Sequence, residues 1–325
     1  MLGGLLSLLA ALTFALNNAF ARRGVLTGSV MQALAVSVPF GVPFLFVATW
    51  ICGGLPAIAG FSTASLLWLA AAGIVHFCMG RYCNYRATKA IGANLVGPLQ
   101  DLNIIYSLAM AVLILGEKIT VLKVIGFVLV MFGPVIVLNK PGKPKKQEAK
   151  KSTFTPVYAE GYLFGFLSGV CYGTSPILVR QGLLTSDIGA SVAGSFVSYC
   201  AATAVVVLAM FIPGNAKDVR KLQWSTARWF AVAGLFVAIS QMVRYMALAV
   251  APVTVVQPIS RLSSIFRIYF GWMLNREHEV FSPKVVVGTV VSLCGALVLS
   301  LDAGYVESLR DWPQWLVGAL QWRWP

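Results

Sequence analysis

Charged residues and histidines are scarce in this sequence of 325 residues. Only 11% of the residues are Asp, Glu, Lys or Arg, whereas 58% are hydrophobic and the mean hydropathy is +0.80. Soluble domains contain about 25% charged and about 45–50% apolar residues, so a water-soluble fold of this composition would lack the charge to cover its surface. Apolar residues also dominate the whole chain, which excludes a disordered protein. The composition therefore predicts an integral membrane protein.

The residue patterns that mark cofactor and catalytic sites are missing as well. The chain has two histidines and six dispersed cysteines, with no CxxC pair and no metal-ligand spacing. It also lacks a P-loop, an HExxH motif and a GxSxG motif. We therefore expect no cofactor, no direct use of ATP and no enzymatic activity.

What the sequence does contain is a series of long apolar runs. A membrane-spanning helix needs roughly 20 mainly apolar residues. Ten such runs cover residues 2–21, 29–51, 64–85, 92–115, 119–138, 158–181, 188–212, 227–250, 253–275 and 284–301. Because these runs are continuous rather than alternating, they predict helices and not the strands of a barrel. The fold class expected is an all-α integral membrane protein with ten transmembrane helices.

A basic polar linker, residues 139–157, divides the chain into residues 1–138 and residues 158–301. The remaining segment, 302–325, is rich in tryptophan, which favours the membrane interface. The net charge of +14 comes mainly from Lys and Arg between the apolar runs, so it indicates orientation and not a nucleic-acid partner. Most of these residues lie on the side of the linker. We expect a cell-membrane location (the inner membrane in a Gram-negative cell), a cytoplasmic linker and both termini outside.

The two halves resemble each other in sequence. A shift of 160 residues aligns Tyr85 with Tyr245, Pro98 with Pro258 and Glu117 with Glu277, and a further shift of two residues aligns Gly126 with Gly288. Five spans in each half make the two repeats inverted, an architecture of secondary transporters with a midplane substrate site. The matched prolines should kink spans four and nine and free backbone carbonyls near Asn94 and Thr254.

These repeated segments resemble a known family. The first is Asn84-Tyr-Arg-Ala-Thr-Lys-Ala-Ile-Gly-Ala, followed by Gly97-Pro98-Leu99 and Leu115-Gly116-Glu117-Lys118; the second begins at Tyr245 and departs from the pattern at Asn275-Arg276-Glu277. They are similar to the EamA-type repeat of the drug/metabolite transporter superfamily, which moves amino acids, metabolites, drugs and sugar phosphates. The resemblance implies a central cavity between the halves and peripheral spans five and ten that make dimer contacts. It also implies that Glu117 and Glu277 are structural.

Ionisable residues inside spans are costly and are candidates for function. Asp101 and Arg261 occupy matched positions in spans four and nine and carry opposite charges. Inverted symmetry would bring both to the midplane. They are either a buried ion pair that joins the halves, a gate, or a substrate or proton site.

A second set of candidates combines arginine with tyrosine. Arg81 and Arg244 lie near the matched Tyr85 and Tyr245, and a guanidinium with a phenol suits a carboxylate or phosphate. Either arginine could instead extend to lipid headgroups. Arg267, about one and a half turns after Arg261, is expected near or off the same face and ranks lower. Since arginines outnumber acidic residues within the spans, an organic anion is favoured over a cationic drug.

Polar residues elsewhere complete the predicted site. Asn17 in span one, Tyr172 in span six and Gln257 beside Pro258 are expected to contribute to substrate binding. His76 either titrates during proton coupling or is a hydrogen-bonded structural residue.

The function predicted is secondary transport of a small organic anion, an amino acid or a carboxylate- or phosphate-bearing metabolite, by alternating access. A flippase for an anionic lipid and a non-transporting receptor or scaffold are the alternatives. The expected partners are a small-molecule substrate, the lipid bilayer, protons as a coupling ion and a second copy of the chain.

Overall fold

The computed structural model describes most of the two halves of the chain. The described residues are 2–101, 103, 106, 124–126, 128, 129, 132, 136, 155–183, 187–251, 256, 259–279 and 281–300. Residues 139–154 of the linker, the tryptophan-rich tail, Glu117, Gln257 and Pro258 lie outside them.

Every regular element in these described ranges is a helix. The first half contains α1 (Leu2–Thr27), α2 (Val30–Ser37), α3 (Gly41–Ile51), α4 (Leu55–Gly60), α5 (Thr63–Gly73), a π-helix (Ile74–Gly80), α6 (Arg81–Ile91) and α7 (Ala93–Asp101). The second half contains α8 (Tyr158–Gly182), α9 (Ile188–Met210), α10 (Pro213–Arg220), α11 (Trp224–Val250), α12 (Ser263–Asn275) and α13 (Pro283–Ser300). The expectation of an all-helical fold is confirmed for this part of the chain.

Six helical segments are long and apolar enough to cross a membrane. They are Leu2–Thr27, Val30–Ile51, Thr63–Ile91, Tyr158–Gly182, Ile188–Met210 and Trp224–Val250. They correspond to predicted spans one to three and six to eight, and the third extends six residues beyond its predicted end. These helices therefore indicate a multi-pass membrane protein.

The other four predicted spans are described in part. Helix α7 matches the start of span four, α12 the second half of span nine, and α13 most of span ten. In span five the structure describes residues 124–126, 128, 129, 132 and 136, and each of these is helical. The count of ten helices and the boundaries of the halves stay predictions.

The first helices of the two halves run in opposite directions. Lys89 Nζ donates to Gly28 O at 3.0 Å, and Val157 N donates to Ala90 O at 2.8 Å. These contacts place the ends of α1 and α6 and the start of α8 at one end of the bundle, which we call the linker end. Helix α1 therefore runs toward the linker end and α8 runs away from it.

The two halves also pack against each other through a pair of equivalent contacts. A Cβ on Gly73 of α5 would overlap the backbone of Ser198, and a Cβ on Gly234 of α11 would lie 3.0 Å from Ser37 Cα. The sequence numbers show that a shift of 161 residues converts each of these contacts into the other. Small residues let membrane helices approach closely. The internal resemblance in sequence thus has a counterpart in three dimensions.

Span nine is interrupted at Arg261 and Leu262. The sequence predicted a kink closer to Pro258. Ile259 and Ser260 are helical, Arg261 and Leu262 form a turn, and α12 begins at Ser263. The turn is tight, since Leu262 N donates to Ile259 O at 3.0 Å and Ser264 N to Arg261 O at 2.9 Å. Span three has its own irregularity, the π-helix, and segments of this kind occur often at functional sites.

Candidate functional site

A polar cavity lies between the two halves. Its atom-free space is about 530 Å³, counted to its open mouth. Its lining comes from both halves of the chain and consists of Ala10, Ala11, Phe14, His76, Gln100, Asn103, Tyr172, Ser240, Gln241, Arg244, Ser260, Arg261, Ser263, Ser264 and Arg267. The part of this space that the centres of water molecules can occupy is about 50 Å³, which is room for a few waters.

Arginine side chains supply the positive charge of the cavity. Arg244 lies on α11, Arg261 at the interruption of span nine and Arg267 on α12. Arg244 Nη2 donates to Ser175 Oγ at 3.3 Å, and Arg261 Nη1 lies 3.5 Å from Gln100 O. Guanidinium groups bind carboxylates and phosphates through paired hydrogen bonds. The cavity lining therefore contains hydrogen-bond donors of the kind that suit an anionic group.

Arg267 was ranked lower from the sequence, yet it lines the cavity together with Arg261. In a continuous helix these residues are separated by about one and a half turns. The hydrogen bonds from Leu262 N to Ile259 O and from Ser264 N to Arg261 O tighten the chain here, so the spacing of a regular α-helix does not apply between Arg261 and Arg267.

Gln100 was not among the predicted site residues, although it connects several helices. Its Oε1 accepts from Arg267 Nη2 at 2.9 Å, and its Nε2 donates to Asn84 Oδ1 at 3.0 Å and to Ser168 Oγ at 3.1 Å. Asn84 Nδ2 in turn donates to Asn18 Oδ1 at 3.0 Å. The network joins α12 to α7, α6, α8 and α1. The sequence signal that could have indicated Gln100 is its position two residues after Pro98.

Aromatic rings form another part of the lining. The ring of His76 lies 4.5 Å from the ring of Tyr172, and Phe14 meets Tyr172 edge to face at 6.0 Å. Tyr172 was predicted to contribute to the site, and the structure places it in the cavity lining. Neither nitrogen of His76 has a hydrogen-bond partner in the part of the chain that is described. The alternative of a hydrogen-bonded structural histidine therefore finds no support there.

Arg81 and the matched tyrosines lie outside the lining of this cavity. Arg81 is buried, donates through Nη2 to Tyr199 OH at 3.0 Å, and lies 3.3 Å from Ser37 O. Tyr85 OH donates to Ser37 Oγ at 3.3 Å, and Tyr245 OH donates to Ser198 Oγ at 3.0 Å. These side chains connect neighbouring helices within the bundle.

The remaining predicted residues differ in how far they are described. Asn17 is buried between α1 and α11, where its amide, oriented to suit both neighbours, donates to Ala233 O at 3.1 Å. Asp101 is the last residue of α7, and its side chain lies outside what is described, as does all of Gln257. The proposed pairing of Asp101 with Arg261 stays a prediction.

A buried ion pair lies at the linker end. Arg22 Nε is 3.4 Å from Glu279 Oε1, and both side chains are fully buried. Glu279 also accepts hydrogen bonds from Ala93 N at 2.7 Å and Asn94 N at 3.0 Å, at the start of α7. Burial raises the pKa of the Glu279 carboxyl in the loop before α13, and the nearby Arg22 opposes that rise.

The sequence comparison of the two halves singled out Glu277, whereas the buried carboxylate belongs to Glu279. A shift of 160 residues aligns Glu117 with Glu277, but Glu277 is exposed. The two-residue adjustment that aligns Gly126 with Gly288 instead aligns Glu117 with Glu279. Among the acidic residues of the second half that the structure describes, Glu279 is the one with a fully buried side chain in an ion pair.

Two helical halves around a polar cavity form the architecture of a secondary membrane transporter. Comparison with known proteins assigns the family. The model of the EamA-like transporter family matches residues 1–139 and 159–301, and the chain belongs to this family. This is consistent with the drug/metabolite transporter superfamily.

Solved structures show the same fold. The chain matches 28 chains of known structure. One of them, described only as the crystal structure of a protein, has a TM-score of 0.57 and 17% sequence identity, with coverage of 91% of this chain and 95% of the other. At this identity the similarity concerns the fold. No curated protein matches the chain.

Proposed function

We propose that the protein is a secondary transporter that carries a small organic anion through the central cavity. The candidate substrates are amino acids and carboxylate- or phosphate-bearing metabolites. The observation that supports this most strongly is the cluster of Arg244, Arg261 and Arg267 along one cavity. Arg244 lies on α11 in span eight, and Arg267 lies on α12 after the interruption in span nine.

Electrostatics favour an anionic substrate over a cationic one. Guanidinium groups inside a membrane protein are expensive to bury and are retained where they serve a pathway or a partner. An anion that enters this cavity exchanges its hydration for charged hydrogen bonds, whereas a cation would meet repulsion. The proposed substrate therefore carries at least one carboxylate or phosphate group.

Alternating access requires two ends that open in turn. The proposed transporter has ten helices in two inverted five-helix repeats, which would rock about the cavity. The Arg22–Glu279 ion pair supports a state in which the linker end is closed, because it joins α1 of the first half to the loop before α13 of the second half. Opening of the linker end would separate these two groups.

Coupling and assembly are further parts of the proposal. We propose protons as the coupling ion, with Asp101 or His76 as the exchanging group, and a homodimer through spans five and ten. A pH gradient imposed across proteoliposomes should then accelerate uptake. Equal uptake with and without the gradient would exclude proton coupling.

A transport assay tests the proposal. Purified protein in proteoliposomes should take up labelled carboxylates, amino acids or phosphate esters, and should not take up a panel of organic cations. Protein-free liposomes supply the baseline. Uptake of cations alone, or of no solute in the panel, would contradict the assignment of an anion as substrate.

A further inference from the structure

Two polar side chains in the cavity lining, His76 on the π-helix and Gln241 on α11, are uncharged. We propose that they form a second subsite, which binds a hydrogen-bonding group of the substrate. The substrate would then be an organic anion with a hydroxyl or amino group close to its carboxylate or phosphate. This inference rests on the proposed transport of anions.

The surroundings of His76 point to a ligand. The side chain is 3% exposed, and neither ring nitrogen has a hydrogen-bond partner among the residues that the structure describes. Buried polar atoms in proteins are nearly always paired. A neutral imidazole offers one donor and one acceptor, and at His76 neither is used by a residue that the structure describes.

The π-helix explains why His76 lies against this cavity. The wider turns from Ile74 to Gly80 shift the side chains relative to a regular α-helix. Gly80 also lets the segment approach Tyr172 of α8, since a Cβ at this position would lie 2.8 Å from the Tyr172 ring. The His76 ring, 4.5 Å from the Tyr172 ring, is therefore held in place by packing rather than by hydrogen bonds.

Gln241 supplies a complementary acceptor. Its side chain is 2% exposed, and its Oε1 has no hydrogen-bond partner within the described part of the chain. It lies three residues before Arg244 on α11, and both line the cavity. Side chains at this spacing are neighbours, with Cβ atoms about 5–6 Å apart. A donor that reaches Gln241 Oε1 therefore lies near an anionic group bound at Arg244.

The proximity of these side chains suits a substrate with a second polar group close to its anionic group. A hydroxyl or amino group on the carbon next to a carboxylate meets this requirement, whereas one at the end of a long spacer does not. An unsubstituted carboxylate would leave Gln241 Oε1 and His76 without partners. We therefore expect 2-hydroxy and 2-amino acids to be transported in preference to the parent acids.

The experiment compares three labelled probes of equal chain length in proteoliposomes: a carboxylate, its 2-hydroxy derivative and its 2-amino derivative. The wild-type protein should have a kcat/KM at least about tenfold higher for one of the substituted probes than for the parent carboxylate. Gln241→Leu and His76→Phe should each reduce this ratio, mainly through loss of transport of the substituted probe. Gln223→Leu, at an exposed position before α11, is the matched control and should keep the wild-type ratio.

Conservative variants separate recognition from folding. Gln241→Asn and His76→Gln retain hydrogen-bonding groups, so they should preserve part of the ratio even if the apolar variants assemble poorly. A wild-type ratio near one, or a ratio unchanged in variants that still transport the parent carboxylate, would overturn the second subsite and leave anion transport intact. Failure of the wild-type protein to transport any of the anions in the transport panel would overturn both proposals.

Discussion

Arg22 Nε lies 3.4 Å from Glu279 Oε1 at the linker end, and neither side chain is exposed. The two residues belong to different halves of the chain, so their contact joins the halves directly. Glu279 also accepts from Ala93 N and Asn94 N at the first turn of α7, and a carboxylate is favoured at the start of a helix. One side chain thus links α1, α7 and the loop before α13.

Replacement of Glu279 by alanine should loosen the linker end. Loss of one partner of a buried ion pair costs about 3–5 kcal/mol, and the amides of Ala93 and Asn94 would lose their acceptor. Hydrogen exchange of these amides should become faster, with a lower melting temperature in detergent. Glu277→Ala, at an exposed position two residues earlier, should leave both quantities unchanged. Equal exchange rates in the two variants would refute the closing role of Glu279.

Gly92 should tolerate no side chain. Its φ is +83°, and an added Cβ would lie 2.8 Å from Glu279 Oε2. With a ψ of 157° this backbone conformation is essentially restricted to glycine and costs other residues about 1–3 kcal/mol, so Gly92→Ala should lower the melting temperature. Gly214→Ala is a suitable control because no atom lies within 4 Å of its added Cβ. A melting temperature for Gly92→Ala at or above that of the control would contradict this interpretation.

A carboxylate in place of Gln100 should compete with the substrate. Gln100 Oε1 lies 2.9 Å from Arg267 Nη2, so Gln100→Glu would form an ion pair with one of the arginines proposed to attract the anion. We expect KM for an anionic substrate to rise at least about tenfold, which corresponds to about 1.4 kcal/mol. Gln223→Glu, at an exposed position, controls for the added charge. An unchanged KM would argue against anion binding near Arg267.

The matched tyrosines should act through stability rather than through substrate binding. Tyr85 and Tyr245 are fully buried and donate to Ser37 and Ser198. Loss of one such hydrogen bond costs about 0.5–1.5 kcal/mol. Tyr85→Phe and Tyr245→Phe should therefore lower the melting temperature slightly and leave KM unchanged, as measured in the same preparation. A large rise in KM would return the tyrosines to the substrate site.

Most of the described fold could be predicted from the composition and from the internal repeat of the sequence. The six long helices coincide closely with apolar runs because a bilayer requires about 20 apolar residues for each crossing. The inversion of the halves followed from the number of runs before the linker. The position of the interruption in span nine did not follow, since the proline pattern predicted a kink near Thr254 and the turn lies at Arg261 and Leu262.

The candidate site was only partly accessible from the sequence. Arg244, Arg261 and Tyr172 were predicted and line the cavity, Arg267 was ranked lower and also lines it, and Gln100 and Gln241 were not predicted. The rule that favours charged residues inside spans overlooks neutral amides, although amides can bind across helices equally well. The same rule selected Arg81, whose contacts with Tyr199 and Ser37 depend on helices that are distant in sequence.

Charge variants of Arg244 test the central claim, transport of an organic anion through the arginine-lined cavity. Arg244→Gln removes a positive charge from the lining, Arg244→Lys retains it, and Arg228→Gln removes one from an exposed position on the same helix. Initial rates of labelled-anion uptake should give a kcat/KM at least about 100-fold below wild type for Arg244→Gln, a smaller loss for Arg244→Lys, and a wild-type value for Arg228→Gln. Equal kcat/KM for Arg244→Gln and Arg228→Gln would contradict the account.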